Sequence, residues 1–398
     1  MQEENLIYWL WLVMVMGIAD SGTVPLLKTY PDIVKLYYLI QEQECTFLSP
    51  SQKKRAAQIP VQRAQEILTE CTQKQISLMT YDNEYYPQKL KNIYNPPALL
   101  FYRGNPAFLK SEKILTAVGT RHPSEYSVRT VQKLYAELVR KGCTLTSGFA
   151  VGLDTEANLA AVKVEAPTIA VLGCGLDCNY PKGSQPLKEK IAETGLLLTE
   201  YFPGTPPYGR NFPVRNRILA GISDAVLVTE AGLNSGCMIT ANLACEQGKT
   251  VFCIPPNDIF SSRYAGQIKL LREGASAAFS AEDITEELDS DKKKTNSDEK
   301  NINPHPQQPP SVPTSAPETE VQPVVSEKMI TTDAFASLMP EEQKIMEALK
   351  DSEKNINMLC CLTGMKFETV SMHLIELEMM GYLTSSGNDF YKISESYH

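Results

Sequence analysis

Short apolar runs alternate with amphipathic segments through the middle of the chain, from about residue 76 to residue 288. The runs have the length of buried strands and cover residues 114–118, 143–146, 168–172, 196–199, 225–229 and 250–254. The segments between them have helical spacing and cover residues 128–140, 156–164, 185–193, 214–222, 239–247 and 265–272. Continuous apolar strands separated by helices predict an α/β domain with a doubly wound parallel sheet.

The preceding residues, 1–75, have a mainly helical pattern. Apolar side chains recur at helical spacing, and Gly17, Pro31 and Pro60 divide the segment into short helices. We expect an N-terminal helical domain of the SAM or helix-hairpin-helix kind. Its loops lack the paired glycines that let backbone amides approach a phosphate, so a structural or partner-docking role is favoured, while DNA binding stays open.

The chain changes character after residue 288. Residues 289–332 open with three lysines and contain repeated prolines, which is typical of a disordered, Pro-rich linker. Residues 333–398 contain three helical segments and then two short strands, at 340–349, 356–362, 368–380, 382–385 and 390–393. Three helices followed by a two-stranded wing predict a winged-helix domain. The predicted domains are therefore 1–75, 76–288, 289–332 and 333–398.

The most apolar stretch, residues 6–19, is shorter than the ~20 residues that cross a bilayer. Glu3 and Glu4 precede it, where a secretory signal would carry positive charge. Ten cysteines without a regular pairing pattern favour reduced thiols. We therefore expect a cytoplasmic protein that has no contact with a membrane.

Charge and histidine content narrow the possible chemistry. The net charge of -9 argues against a broadly basic surface, so any DNA site must be local. The four histidines lie in separate segments without shared metal or triad spacing: His122, His305, His373 and His398. We expect no metal ion, no cofactor and no histidine-based catalysis.

Glycine-rich loops follow several predicted strands, where ligands bind in parallel sheets. In the first loop, Gly119 and Thr120 allow backbone amides to face an anion, and Arg121 adds a planar positive charge. The second loop begins with Ser147 and Gly148, and an ordinary strand-to-helix turn explains it equally well. These loops predict a phosphate-binding edge of the sheet.

Later segments add donors and charge to the same predicted edge. Lys182 follows a third glycine-rich loop, and Arg215, Asn216 and Arg217 stand in the first turns of a predicted helix. Two arginines so close together are costly unless they meet acids or phosphates. Phosphate binding and internal ion pairing therefore both remain open for them.

A further helix start offers the donors Ser235, Gly236 and Thr240. Glu230, just before them, is an expected ion-pair partner for one of the two arginines. None of these loops has the GxGxxG or P-loop pattern, so neither NAD nor ATP is expected. Phe149 and Tyr180 are candidate platforms for base stacking, although each is more often a packing residue.

Five ordered motifs over about 190 residues resemble the DNA-processing protein A family (DprA/Smf): G-[ST]-R, SGxAxGxD, LGxGxDxxYP, FPxRNRxxAG and EAxxxSGxxITAxxAxExG. The resemblance implies a Rossmann-like domain that binds single-stranded DNA without catalysis. It implies a homodimer that protects incoming DNA and loads RecA recombinase onto it in natural transformation. It also implies phosphate contacts or support from Gly119, Thr120, Arg121, Ser147, Gly148, Lys182, Arg215, Asn216, Arg217, Ser235, Gly236 and Thr240, with Ser147 and Gly148 capping the neighbouring helix.

The chain departs from the family's usual residues at five positions, which puts the strength or geometry of DNA binding in doubt: Val151, Asn158, Ser184, Pro256 and Ile268. The third helix of the predicted winged-helix domain carries Glu368, Glu376 and Glu378 and no arginine. A protein contact is therefore favoured over DNA binding for that helix, against the usual role of such helices.

An alternative function is a nucleotide-binding enzyme or sensor that resembles the lysine-decarboxylase-like phosphoribohydrolases. Glu230 would be its acid or base. The PGGxGTxxE loop of that family is missing after Glu230, so the DNA-binding function is favoured. A scaffold that works through the linker and the acidic winged-helix domain is compatible with DNA binding.

Overall fold

The computed structural model describes residues 3–42, 45, 47–233, 235–300, 339–350, 353–365, 369–370, 373–374, 377, 382–387 and 390–394. The chain divides into two compact units, Met1–Pro304 and His305–His398. None of the helices described is both long enough and apolar enough to cross a membrane.

Five helices open the first unit: α1 (Glu3–Met16), α2 (Thr23–Thr29), α3 (Ile33–Gln41), α4 (Pro50–Gln58) and α5 (Val61–Gln73). Helix α1 is apolar on nearly all sides, so it is buried among its neighbours. The Trp11 indole donates a hydrogen bond to the Ile59 carbonyl at 2.8 Å. Leu10 and Trp11 of α1 belong to the same hydrophobic core as Leu99 and Phe101 of the sheet, so these helices share a core with the α/β region.

Nine strands form one sheet: β1 (Ser77–Thr80), β2 (Leu99–Gly104), β3 (Ile114–Val118), β4 (Thr144–Ser147), β5 (Thr168–Val171), β6 (Leu196–Thr199), β7 (Ala225–Val228), β8 (Thr250–Cys253) and β9 (Ser276–Ala277). Their order is β1-β2-β6-β5-β4-β3-β7-β8-β9. Strands β3 to β9 run parallel, whereas β2 is antiparallel to both β1 and β6. The predicted doubly wound sheet is confirmed, with β1, β2 and β9 as additional strands.

Helices cover the sheet: α6 (Gln88–Lys91), α7 (Glu125–Thr130), α8 (Ala136–Arg140), α9 (Leu153–Lys163), α10 (Gln185–Thr194), α11 (Asn211–Ile222), α12 (Gly236–Glu246), α13 (Ala265–Arg272) and α14 (Ala281–Lys300). A π-helical turn at Val131–Tyr135 joins α7 to α8, and short 3-10 turns occupy Pro106–Lys110 and Ser262–Tyr264. Helices α7, α9, α11 and α12 each begin three residues before the predicted start.

Helix α14 continues to Lys300, past the predicted start of the linker at Asp289. Asp289 pairs with Lys113 at 2.7 Å, which anchors the helix there. The run of lysine and acidic residues after it contains good helix formers. The prediction of a disordered linker is therefore wrong for residues 289–300, and residues 301–332 lie outside the described residues.

The strand order defines a switch point between β3 and β7. The chain runs from β3 outward through β4 and β5 to β6, and then returns to β7 on the other side of β3. The loops that leave the carboxyl ends of β3 and β7 therefore diverge. Such divergence opens a crevice, which is where doubly wound sheets bind ligands.

The second unit contains α15 (Pro340–Ala348), α16 (Ile356–Thr363) and a three-stranded sheet of β10 (Lys354–Asn355), β11 (Leu383–Gly387) and β12 (Phe390–Ile393). The strand order is β10-β12-β11, with both pairings antiparallel. Residues 369–370, 373–374 and 377 of the predicted third helix are helical. The prediction of an acidic third helix rests on three glutamates that lie outside the described residues: Glu368, Glu376 and Glu378.

Candidate functional site

A cleft of about 820 Å³ opens at the switch point, at the carboxyl ends of β3 and β7. Its walls are the loop after β3, the first turns of α11 and α12, and the loop before α13. Eight of the twelve predicted site residues line it: Gly119, Thr120, Arg121, Arg215, Asn216, Ser235, Gly236 and Thr240. Ser147, Gly148, Lys182 and Arg217 are not among the lining residues.

Close backbone packing fixes the loop after β3. A Cβ atom at Gly119 would lie 2.4 Å from Cδ1 of Leu153, so only glycine lets the loop approach α9. Gly152 has a φ of 91°, and a Cβ there would lie 2.5 Å from the Thr120 carbonyl oxygen. The Thr120 amide donates to the Glu230 carbonyl at 2.9 Å. The loop is therefore tied to both α9 and β7.

Arg121 is an exposed cation on this loop. Its guanidinium lies over the ring of Phe212, 5.5 Å from the ring centroid. It forms no ion pair with any residue in the described part of the chain, so its charge is available to an anion at the mouth of the cleft.

Arg215 and Asp154 are two buried side chains of opposite charge in the wall of the cleft. The Arg215 guanidinium donates to the carbonyls of Gly148 and Val171 and, at 3.1 Å, to the side-chain oxygen of Asn216. Burial raises the pKa of Asp154 to about 6, and the positive charge of Arg215 opposes this rise. Burial likewise lowers the pKa of Arg215 from its ordinary value, with Asp154 opposing.

Gly148 leaves room for the side chains of both Asp154 and Arg215. A Cβ on Gly148 would lie 2.5 Å from Oδ2 of Asp154 and 2.6 Å from Nη2 of Arg215. The buried Ser147 hydroxyl donates to the Ala117 carbonyl at 2.6 Å, joining β4 to β3. The predicted capping role of Ser147 and Gly148 is wrong, because α9 begins at Leu153, its N-cap residue is Gly152, and no side chain caps it.

The first turn of α12 brings polar groups to the opposite wall. Ser235 and Gly236 stand at the helix start, where backbone amides and the helix dipole favour an anion. The Thr240 hydroxyl is fully buried and has no hydrogen-bond partner among the described residues. An unpaired buried hydroxyl is costly. Thr240 lines the cleft, so its hydroxyl is a candidate donor to a bound anion.

Glu230 lies fully buried at the floor of the cleft and is held by Ser124 and Arg263. The backbone amide and hydroxyl of Ser124 donate to Oε2 at 2.9 and 2.7 Å, and Arg263 lies 2.8 Å from Oε1. Burial alone would raise the pKa of Glu230, but hydrogen bonds from Ser127, Ser124 and Arg263 lower it below its ordinary value. The expected pairing of Glu230 with an α11 arginine is therefore wrong.

The structure also identifies two site residues that the sequence did not indicate. Arg263 lines the cleft and donates to the His122 carbonyl at 2.7 Å. The buried Gln267 side chain donates to the carbonyls of Thr229 and Ile254 at 2.7 Å and accepts from the Ala231 amide. Gln267 is a polar residue on the apolar face of a predicted helix, and this position in the sequence could have indicated its buried role.

Arg217 and Lys182 lie away from the cleft lining. Arg217 donates to both carboxylate oxygens of Glu200 at 2.7 and 2.8 Å, and to the Asn95 carbonyl at 2.9 Å. Both side chains of this ion pair are nearly buried, so the Arg217 charge is already compensated by Glu200. Lys182 is exposed outside the lining.

Neither aromatic residue suggested for base stacking offers a free ring. Phe149 is 1 % exposed. Tyr180 is half-buried and packs against Phe212 with ring centroids 5.2 Å apart. Both rings therefore contribute to packing around the cleft.

Comparison with known families and proteins gives consistent matches. The family described as DNA recombination-mediator protein A matches residues 77–289, and the DprA winged helix domain matches residues 305–388. The DNA processing protein DprA of Bacillus subtilis is 39% identical over 222 residues, which cover 56% of this chain and 74% of that protein. Protein Smf of Synechocystis is 33% identical over 327 residues, which cover 80% of each chain.

Two solved structures are similar to more than half of the chain. The X-ray structure of DNA processing protein A from Streptococcus pneumoniae has a TM-score of 0.61 and 33% identity, covering 70% of this chain and 95% of that one. A structure concerned with the single-stranded DNA binding mode of DNA processing protein A from Helicobacter pylori has a TM-score of 0.50 and 30% identity. It covers 55% of this chain and 97% of that one.

Proposed function

We infer that this chain, which belongs to the DNA recombination-mediator protein A family, is a DNA-processing protein whose cleft between β3 and β7 binds single-stranded DNA. One observation carries the proposal: within the described residues, an exposed arginine has no acidic partner, and it lines the same cleft as a helix start whose buried hydroxyl lacks a hydrogen-bond partner. Arg121 supplies the charge, and the first turn of α12 with Thr240 supplies the donors. Both favour a phosphate.

The kinds of donor in the cleft indicate recognition of the DNA backbone. Glycine-rich loops and helix N-termini present amides to phosphates and carry no information about base sequence. We therefore propose binding without strong sequence preference. The relative from Helicobacter pylori is described as binding single-stranded DNA, which supports the same ligand here.

The cellular role that we propose is protection of incoming DNA and loading of RecA recombinase onto it in natural transformation or recombination. The protein would act in the cytoplasm as a homodimer. The proposal rests on family membership and involves binding without turnover, because the acids of the cleft have structural partners. Asp154 lies beside Arg215, and Glu230 is bound by Ser124 and Arg263.

The alternative, a nucleotide-processing enzyme or sensor, requires Glu230 as an acid or base. Both of its carboxylate oxygens are engaged, and its hydrogen bonds lower its pKa. A carboxylate held in this way is a poor proton donor at neutral pH. The geometry therefore supports DNA binding better.

Fluorescence anisotropy with labelled single-stranded and duplex oligonucleotides at two salt concentrations tests the proposal. We expect salt-dependent preference for single strands, about tenfold weaker binding by Arg121→Ala, and a salt slope smaller by about 0.7. Lys54→Ala is the matched control, because it also removes one exposed cation but lies outside both the lining and the predicted site. Weak binding unchanged by Arg121→Ala would contradict the proposal and direct attention to free nucleotides.

RecA loading needs a separate measurement. RecA filament growth would be followed on single strands already coated with a single-stranded-DNA-binding protein, with and without this protein. We expect faster filament nucleation with the wild type and a smaller effect with Arg121→Ala. Equal nucleation rates in all reactions would remove the loading role and leave DNA binding intact.

A further inference from the structure

We propose that Phe260 is a stacking platform for one base of a DNA strand whose phosphates lie in the cleft. The inference rests on the proposed function and adds a base-binding position to it. Phe260 is 92 % exposed, and it directly precedes the cleft-lining residues Ser261, Ser262 and Arg263. The ring therefore stands at the rim of the phosphate site.

The loop that carries Phe260 has a defined backbone. The Phe260 amide donates to Oδ1 of Asp258 at 2.9 Å, which closes a turn at the tip of the loop. Beyond the tip, Arg263 is fixed by Glu230 and by the His122 carbonyl at 2.8 and 2.7 Å. The exposed ring is therefore held between a closed turn and an anchored cation.

Charge and neighbouring residues identify the occupant as a nucleic-acid base. The loop around the ring contains the polar residues Asn257, Asp258, Ser261 and Ser262, and the 64 % exposed Ile259 is its other exposed apolar side chain. A phosphate bound beside Arg263 would bring its own base next to Phe260. Sites for single-stranded nucleic acid combine a cationic groove with exposed aromatic side chains in this way.

Other aromatic residues around the cleft offer less ring surface. Tyr208 is 50 % exposed, but the Arg210 guanidinium lies over its ring, 5.2 Å from the centroid. Phe212 is buried to 8 % exposure and contacts Tyr180 and Arg121. Phe260 therefore keeps the most open ring among these residues.

Two labelled strands of equal length, one of thymidylate and one with an abasic sugar-phosphate backbone, separate stacking from phosphate binding. We expect Phe260→Ala to weaken binding of the thymidylate strand about five- to tenfold, the contribution of one stacked base at an exposed site. Binding of the abasic strand and the salt slope should not change. Phe260→Trp should retain wild-type affinity, and Phe260→Leu should behave like Phe260→Ala.

Tyr94→Ala is the matched control, because Tyr94 is a 93 % exposed aromatic residue outside the cleft lining. It should leave both affinities unchanged. If the wild type binds neither strand, the proposed function fails together with the platform. If the wild type binds normally and Phe260→Ala does too, or weakens both strands equally, only the platform fails. Loss of self-association by Phe260→Ala in light scattering, with DNA affinity intact, would assign the ring to a second copy of the chain and overturn the proposal.

Discussion

Two regions of the α/β sheet differ in the partners of their cations. On the side formed by β2, β5 and β6, three cations are paired with acids: Arg217 with Glu200, Lys74 with Asp177 and Arg103 with Glu189. At the cleft between β3 and β7, Arg263 is likewise paired with Glu230, but Arg121 is exposed and has no ionic partner in the described part of the chain. Glycine-rich loops occur on both sides, so the position of the acids, and not the loop type, distinguishes a ligand site from a structural contact.

Removing the acid of the Arg217–Glu200 ion pair should have the largest effect on stability. Glu200→Gln leaves the nearly buried Arg217 without a counter-charge, and we expect a loss of about 3–5 kcal/mol in the free energy of unfolding. Urea denaturation measures this loss, with the half-buried Glu70→Gln as the control at about 0–1 kcal/mol. The folded variant should keep its DNA affinity. A loss of DNA affinity without a loss of stability would instead indicate that Arg217 contributes to DNA binding.

One methyl group added at Gly148, behind the cleft wall, should lower the stability of the protein. The Cβ added by Gly148→Ala would clash with the side chains of Asp154 and Arg215, and we expect about 1–3 kcal/mol lower stability together with weaker DNA binding. Gly209→Ala is the control for stability, since no atom lies within 4 Å of the added Cβ there. Equal thermal stability of the two variants would show that the close contact at Gly148 has no consequence for folding.

Thr240→Val should separate binding from stability. The change removes an unpaired buried hydroxyl, so we expect stability to stay equal or rise by about 1 kcal/mol while DNA affinity falls about fivefold. Thr146→Val removes a similarly unpaired hydroxyl outside the cleft lining and should change stability in the same direction without changing affinity. Unchanged affinity in both variants would exclude Thr240 as a ligand.

The smallest expected effect is a pH dependence of binding. Because the pKa of Asp154 is raised to about 6, protonation below that pH leaves the charge of Arg215 uncompensated and makes the cleft more positive. We expect DNA affinity to rise less than about fivefold as the pH falls through ~6, and Asp154→Asn to abolish the change. His122 also lines the cleft, so the same titration is needed with His122→Gln. Dependence that vanishes only in His122→Gln would assign the effect to the histidine.

The sequence predicted the central sheet because β3 to β8 are continuous apolar runs. It did not predict β1, β2 and β9, which lie at or next to the sheet edges, where β9 is only two residues long. Helices α7, α9, α11 and α12 were predicted to start three residues too late. Their first turns contain glycine, proline or polar residues, which do not continue the apolar period.

The site was predicted in part, for a geometric reason. Motif spacing located Arg121 and Arg215, but it could not decide between Arg215 and Arg217. Residues two apart on a helix point in nearly opposite directions, so one faces the cleft and the other faces Glu200. Arg263 reaches the cleft from a loop whose course depends on the tertiary structure.

The early starts of α11 and α12 bear on how tolerant the site is to mutation. Each start adds main-chain amides to the cleft wall, and every amino acid except proline carries that donor. The amino acids in these turns can therefore be substituted during evolution while the protein keeps much of its affinity for an anion. An alanine scan would therefore detect Arg121 and Thr240 and overlook the main-chain donors. Proline or backbone-ester substitution at 235–237 would reveal their contribution.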